Sequence, residues 1–173
     1  MANRTIQNAA GAGAASATSW APILGFIAWG VATGGIGGAL TEIGPWYRAL
    51  KKPSYQPPDW LFGPAWTTIF ILTGLAGFYA WRVARTPGLR TAIAAAFIAN
   101  GALNMFWSLL FFKWRRPDWA LLEVGFLWLS ILVLLIVVAR RVRLSGWLVA
   151  PYLVWVSFAS LLNWAIVQLN APF

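Results

Sequence analysis

The 173-residue chain contains no cysteine and no histidine, and its only acidic residues are Glu42, Asp59, Asp118 and Glu123. Without Cys there are no disulfides, thiolate metal ligands or thiol nucleophiles. Without His the commonest metal ligand and the usual general base are missing as well. Hydrolytic and metal chemistry of the familiar kinds is therefore poorly supplied. Charge of either sign is scarce: charged residues make up 10% of the chain, against about 25% in soluble domains. What abounds is apolar and aromatic, with 60% hydrophobic residues, 13 tryptophans and a mean hydropathy of +0.68. That balance predicts a polytopic membrane protein. The net charge of +9 does not argue for nucleic acid, because the 13 Lys and Arg are spread over the joints between apolar runs.

Residues 1–19, rich in Ala, Gly, Ser, Thr and Asn, lack the apolar core of a cleaved signal and read as a disordered tail. From 20 to 173 the pattern predicts an all-α integral membrane fold, a bundle of five transmembrane helices. The spans fall at about 20–40, 60–81, 91–112, 119–138 and 147–169, each near the ~20 residues that cross hydrocarbon. Trp20, Trp46, Trp60, Trp81, Trp114, Trp119 and Trp147 lie at or beside span ends, as an interfacial aromatic belt requires. Five spans place the termini on opposite sides. Seven cations flank one face and six the other, so counting positive charge does not orient the chain. No internal repeat is evident, and five spans suit an inverted-repeat transporter poorly.

Between the first two spans lies the segment 41–59, containing KKPSYQPPD. Pro53, Pro57 and Pro58 restrict φ and lower the entropy of a loop that would otherwise be floppy. Trp46, Tyr47, Tyr55 and the neighbouring Trp60 give it apolar faces with polar tips. It reads as a lid over a pocket mouth.

The polar residues inside the spans collect on the same side as this loop. At 1.5 Å per residue, Trp66 lies about two turns below the loop on the second span, and Asn104 and Trp107 about one to two turns in on the third. Glu123 is about one turn in on the fourth, and Ala159 and Asn163 about two to three on the fifth. Asn100, Asn104 and Trp107 share one helical face, as do Trp155, Ala159 and Asn163. A cavity beneath the first loop follows, lined from four spans, with Phe70 one turn beyond Trp66 in the same candidate set. Each asparagine serves equally well as an interhelical hydrogen-bonding group, and Glu123 as a carboxylate that snorkels or pairs with Arg115 or Arg116. Gly30, Gly34 and Gly38 permit close helix packing, within the bundle or between subunits.

These residues resemble the TspO/translocator protein family, the tryptophan-rich sensory proteins also called peripheral-type benzodiazepine receptors. The resemblance rests on Trp46-Tyr47, Lys52-Pro53, Pro57-Pro58 and Pro64-Ala65-Trp66, on Asn104-Met-Phe-Trp107 with Phe111-Phe112, and on Pro151-Tyr152-Leu153-Val154-Trp155 with Phe158-Ala159 and Leu162-Asn163. It implies a five-helix bundle, often a homodimer, whose pocket beneath the first loop binds porphyrins; some members take synthetic ligands or cholesterol. It also implies that Trp66 and Trp155 match the tryptophans of a light-dependent breakdown of protoporphyrin IX. Asn100 and Asn104 match the family's pocket asparagines, and Ala159 a pocket-lining position. No metal or cofactor is required by this reading. Two departures matter: Tyr55 stands where relatives commonly have Trp, and Trp164-Ala-Ile-Val-Gln168 lacks the Tyr and cation of the animal cholesterol motif.

Three functions follow as expectations. The first is a membrane receptor or sensor for a tetrapyrrole, held by aromatic stacking with its propionates near Arg48, Lys51 or Lys52. The second is a photo-oxidative porphyrin-degrading enzyme acting through Trp66 and Trp155. The third is a transporter of porphyrins or other hydrophobic molecules, which would need a polar path through both leaflets. The bilayer is a partner in all three, and nucleic acid in none.

Overall fold

A computed structural model describes residues 20–173; the expected N-terminal tail lies outside them. Five helices are long and apolar enough to cross a membrane, as the hydropathy pattern predicts. They are α1 (Ala21–Leu40), α3 (Asp59–Val83), α4 (Pro87–Ser108, continued by a π-helical turn Leu109–Lys113), α5 (Pro117–Ala139) and α6 (Arg143–Asn170). A short helix, α2 (Pro45–Ala49), sits within the first connection. All but α1 outrun the expected spans by a few residues because hydropathy registers the hydrocarbon core, whereas a helix continues to its cap. Proline at the first position starts α4 and α5, where its missing N–H is one of the unpaired donors anyway. The Thr86 hydroxyl accepts from the Leu89 amide at 3.3 Å to complete the α4 cap.

The long helices form a closed ring in which α1 packs on α3, α3 on α6, α6 on α5, α5 on α4, and α4 back on α1. Van der Waals fit, not hydrophobic exclusion from water, drives such packing in lipid, so small residues decide where helices meet. Gly74 and Gly77 of α3 let α1 approach, with Phe26 seated against both. Gly101 of α4 leaves room for the Trp29 indole, which donates to the Phe97 carbonyl at 2.8 Å. Gly30 and Gly34 lie against Phe70, so these glycines serve packing inside the bundle. The core is otherwise Ala76, Ala80, Ile93, Leu127, Ile131, Leu134, Val149 and Val156, all essentially inaccessible.

The half of the bundle remote from the first loop is filled by these apolar side chains. The half beneath the loop is not filled, and there the polar and indole groups meet. Of the belt tryptophans, Trp20, Trp60, Trp114, Trp119 and Trp147 are exposed at helix ends. Trp46 and Trp81 are half-buried instead, packed on Phe111 and Phe26 respectively. Ring edges available inside the fold outcompete the interface for these two.

Candidate functional site

A cavity of about 590 Å³ lies between α1, α3, α4 and α6, roofed by the first connection. Small-molecule sites typically measure ~300–1,000 Å³. Its wall contains Tyr47, Trp66, Phe70, Asn104, Trp107, Trp155, Ala159 and Asn163 from the expected set. Sequence reasoning did not single out Thr33, Gly37, Phe62 or Ser108, which also line it. Their only signal was helical phase relative to residues already chosen.

The aromatic part is organised at right angles. Trp66 stacks on Phe70 (5.4 Å between centroids, 23° between planes) and stands edge-on to Trp155 (6.4 Å, 84°) and Tyr152 (5.9 Å, 80°). Phe62 meets Trp155 edge-on at 5.6 Å. The ring quadrupole favours such geometries over face-to-face sandwiches. One indole is left unspent: the buried Trp155 Nε1 has no hydrogen-bond partner among the described residues. A buried unpaired donor costs ~1–3 kcal/mol, and this N–H is enclosed by protein atoms rather than open to the cavity, so it is the face of the Trp155 ring that the cavity wall offers.

The polar part largely ties helices together. Asn104 Nδ2 donates to the fully buried Tyr152 hydroxyl at 3.0 Å, joining α4 to α6. Trp107 Nε1 donates to Asn163 Oδ1 at 3.2 Å, and Asn163 Nδ2 donates to the Pro117 carbonyl at 2.9 Å, so one asparagine binds three helices. Four expected residues lie off the cavity wall. Asn100 donates to Ser130 Oγ at 2.9 Å, on the side of α4 that faces α5. Glu123 is buried, with both carboxylate oxygens unpartnered among the described residues. It does not take Arg115 or Arg116: the former lies over Trp46, and the latter pairs with Asp118. Trp46 and Pro57 belong to the roof without reaching the cavity surface.

The roof is fastened at several points. The Tyr47 hydroxyl donates to Asp59 Oδ1 (3.0 Å) and accepts from Gln56 Nε2 (3.2 Å), while Lys52 Nζ lies 3.8 Å from the Tyr47 ring centroid. Burial, and then the adjacent Asp59 carboxylate, push the Tyr47 hydroxyl up to about 12. Because the folded value is raised, the neutral hydroxyl stabilises the closed roof fully below about pH 10, and that contribution is lost as pH rises through about 12. The π-helical turn at the end of α4 presents both Phe111 and Phe112 to the roof: Phe111 meets Trp46, and Phe112 meets Tyr47. The shift of register that a π turn introduces is what brings two consecutive side chains to one neighbour. Lys52, engaged with Tyr47 and 3.9 Å from Asp59, is less free for a ligand than Arg48 and Lys51, whose side chains are exposed.

The far end of the roof is clamped to α6. Asn170 Oδ1 accepts from the Lys51 amide at 2.8 Å, and Asn170 Nδ2 donates to the Lys51 carbonyl at 2.9 Å. Two exposed hydrogen bonds contribute about 1–2 kcal/mol in all. We expect Asn170→Ala to raise tryptic cleavage at Arg48 and Lys51 about tenfold without loss of helicity. An unchanged digestion rate would show that the aromatic contacts hold the loop alone.

Residues 24–169 match the family model described as the TspO/MBR family. The chain belongs to the TspO/MBR family. A tryptophan-rich protein TspO of Archaeoglobus fulgidus is 37% identical over 126 residues, covering 73% of this chain and 80% of the relative. The tryptophan-rich sensory protein of Cereibacter sphaeroides is 36% identical over 133 residues, covering 77% and 82%. The human translocator protein is 30% identical over 128 residues, covering 72% and 75%. Membership agrees with the five-span bundle and makes this a multi-pass membrane protein of the sensor/translocator type. In this bundle the motifs Pro64–Trp66, Asn104–Trp107 and Tyr152–Asn163 of the second, third and fifth spans each contribute residues to the cavity wall.

Proposed function

We propose that this TspO-family protein is a membrane receptor for a porphyrin-type ligand, bound in the cavity beneath the first connection. The observation that carries the reading is the indole-lined cavity itself, with Trp66, Trp107 and Trp155 on its wall. A flat amphiphilic macrocycle suits such a wall: its faces meet aromatic rings, and its propionates would lie toward the exposed Arg48 and Lys51 of the first connection. The resemblance stated above supplies the ligand class. A transporter reading has less support, because the polar lining is confined to the loop-side half and the other half is packed. Pairing of two copies through the outer face of α4 is part of the same proposal, since Ala92, Ala95 and Ala99 leave a shallow exposed surface there.

A second reading is favoured by the perpendicular pair Trp66 and Trp155: photo-oxidative breakdown of the bound pigment, with dioxygen as oxidant and an indole as electron donor to the excited ring.

The test is a tryptophan-fluorescence titration of the purified protein with free-base protoporphyrin IX and with haem. With no His or Cys in the chain, axial iron ligation would fall to less common groups, and stacking should dominate. The free base is expected to bind at least as tightly as haem. A clear preference for haem, with an absorption spectrum of strong axial ligation, would overturn the stacking arrangement. Failure to bind either would remove the porphyrin reading altogether.

A further inference from the structure

A second hollow, of about 480 Å³, runs along the outside of the bundle between α1 and α3. Among the described residues, no charged one lines it. Its flanks include Ile27, Val31 and Ile71, all more than half exposed on helices that span the bilayer, so this hollow faces lipid chains. Gly34, Thr67 and Phe70 belong to its wall and also to the wall of the inner cavity. The two spaces are thus separated by one layer of side chains, and the only large one in that layer is Phe70.

The seam is thin because α1 has glycine where an interlocking side chain would stand. A Cβ at Gly34 would lie 3.1 Å from Phe70 Cδ2 and 3.2 Å from Cε2, so the phenyl ring occupies the space the glycine vacates. A Cβ at Gly30 would be 3.8 Å from Phe70 Cβ. The ring is held by contacts with Trp66, Trp29 (5.8 Å) and Tyr152 (6.4 Å), and no hydrogen bond anchors it. An aromatic side chain on a helix has two accessible χ1 wells, and exchange between them swings the ring by several ångströms. The roof differs sharply, being fastened by the Tyr47–Asp59–Gln56 hydrogen bonds and the Asn170 clamp.

We propose that the α1–α3 seam is a lateral portal between the bilayer and the inner cavity, with Phe70 as its gate. The molecules it passes are apolar ones already dissolved in the lipid, which reach the cavity without crossing the roof. Water-borne polar molecules would have to use the roof. The inference depends only on the two adjoining spaces and holds whatever the cavity binds.

The chain's lack of cysteine makes the test direct. Ala159→Cys introduces a single thiol on the cavity wall. In vesicles it would be challenged with two maleimides, one on a long alkyl chain dissolved in the bilayer and one carrying a sulfonate in the water. Adding Phe70→Ala is expected to speed modification by the alkyl reagent about tenfold, while the sulfonated reagent changes by no more than about twofold. Phe70→Leu, a smaller change for use if the alanine variant loses helicity, should give the same selectivity with a smaller gain. Equal acceleration of both reagents, or none with the alkyl reagent, would overturn the portal. Because no porphyrin is present, either result leaves the ligand assignment to its own titration.

Discussion

On the proposed photo-oxidative reading, replacing Trp66 or Trp155 by phenylalanine is expected to give a folded protein that keeps the proposed porphyrin binding but loses at least about tenfold of any light-dependent breakdown. Both side chains line the cavity at centroids 6.4 Å apart, nearly perpendicular, so one face of a planar pigment can meet one indole while its edge meets the other. Phenylalanine keeps an aromatic ring for the contacts with Phe70, Tyr152 and Phe62. It removes the indole N–H and, above all, the ease with which an indole gives up an electron to an excited ring. Binding should weaken by only about 1 kcal/mol, the scale of an aromatic contact or a hydrogen bond. Trp119→Phe is the control: Trp119 is exposed at the start of α5 and absent from the cavity wall. Loss of the porphyrin absorption band would be followed under equal light and oxygen. If both cavity variants bleach the pigment at the wild-type rate, the indoles have no photochemical part, and the receptor reading stands alone.

The largest effect on stability is expected from the smallest substitution, Gly77→Ala. A methyl group there would lie 2.4 and 2.6 Å from carbons of the Phe26 ring and 2.5 Å from Phe97 Cζ. Those rings already meet each other edge-on at 4.7 Å, and Phe26 also meets Trp81. Each ring is also packed on a second aromatic neighbour, Phe26 on Trp81 and Phe97 on Trp29, so a retreat disturbs a further contact. Overpacking of this kind costs about 1–3 kcal/mol, and three helices sharing one point places Gly77 at the upper end. Alanine's better helix propensity returns at most ~1 kcal/mol. Gly25→Ala supplies the contrast, since a Cβ there meets nothing within 4 Å and the same propensity gain should appear unopposed. Unfolding by SDS in mixed micelles, followed by circular dichroism, should put the Gly77 variant below wild type and the Gly25 variant at or above it. A Gly77 variant as stable as wild type would mean that α1 is far freer to shift than its packing implies.

The five spans were legible in the sequence because a helix in hydrocarbon must satisfy its own backbone, so length and apolar character alone specify it. The loop-side position of the cavity was legible for a related reason. Depth along a helix is simple arithmetic, and Trp66, Asn104, Trp107, Ala159 and Asn163 all fell in one leaflet. The prolines and aromatics of 41–59 likewise announced a stiff cover, though not the short helix α2 that carries Trp46 and Tyr47. Azimuth was another matter. Asn100 is one turn from Asn104 on the same helix, yet it points to Ser130 while Asn104 reaches Tyr152 and the cavity. Glu123 lies at the right depth and still misses the wall. The rotation of each helix about its axis comes from which glycine admits which ring, as at Gly77 with Phe26 and Gly34 with Phe70. That is a contact between segments far apart in the chain, and no periodicity within one helix encodes it. The π turn before Trp114 then shifts the register of Phe111 and Phe112 toward the roof, by a backbone hydrogen bond from the Trp114 amide to the Leu109 carbonyl at 2.9 Å. Spans and depth were therefore properties of the sequence, because each is decided by one helix against the solvent around it. Partners, gates and the cavity wall belong to the tertiary structure alone, because each is decided by two helices against one another.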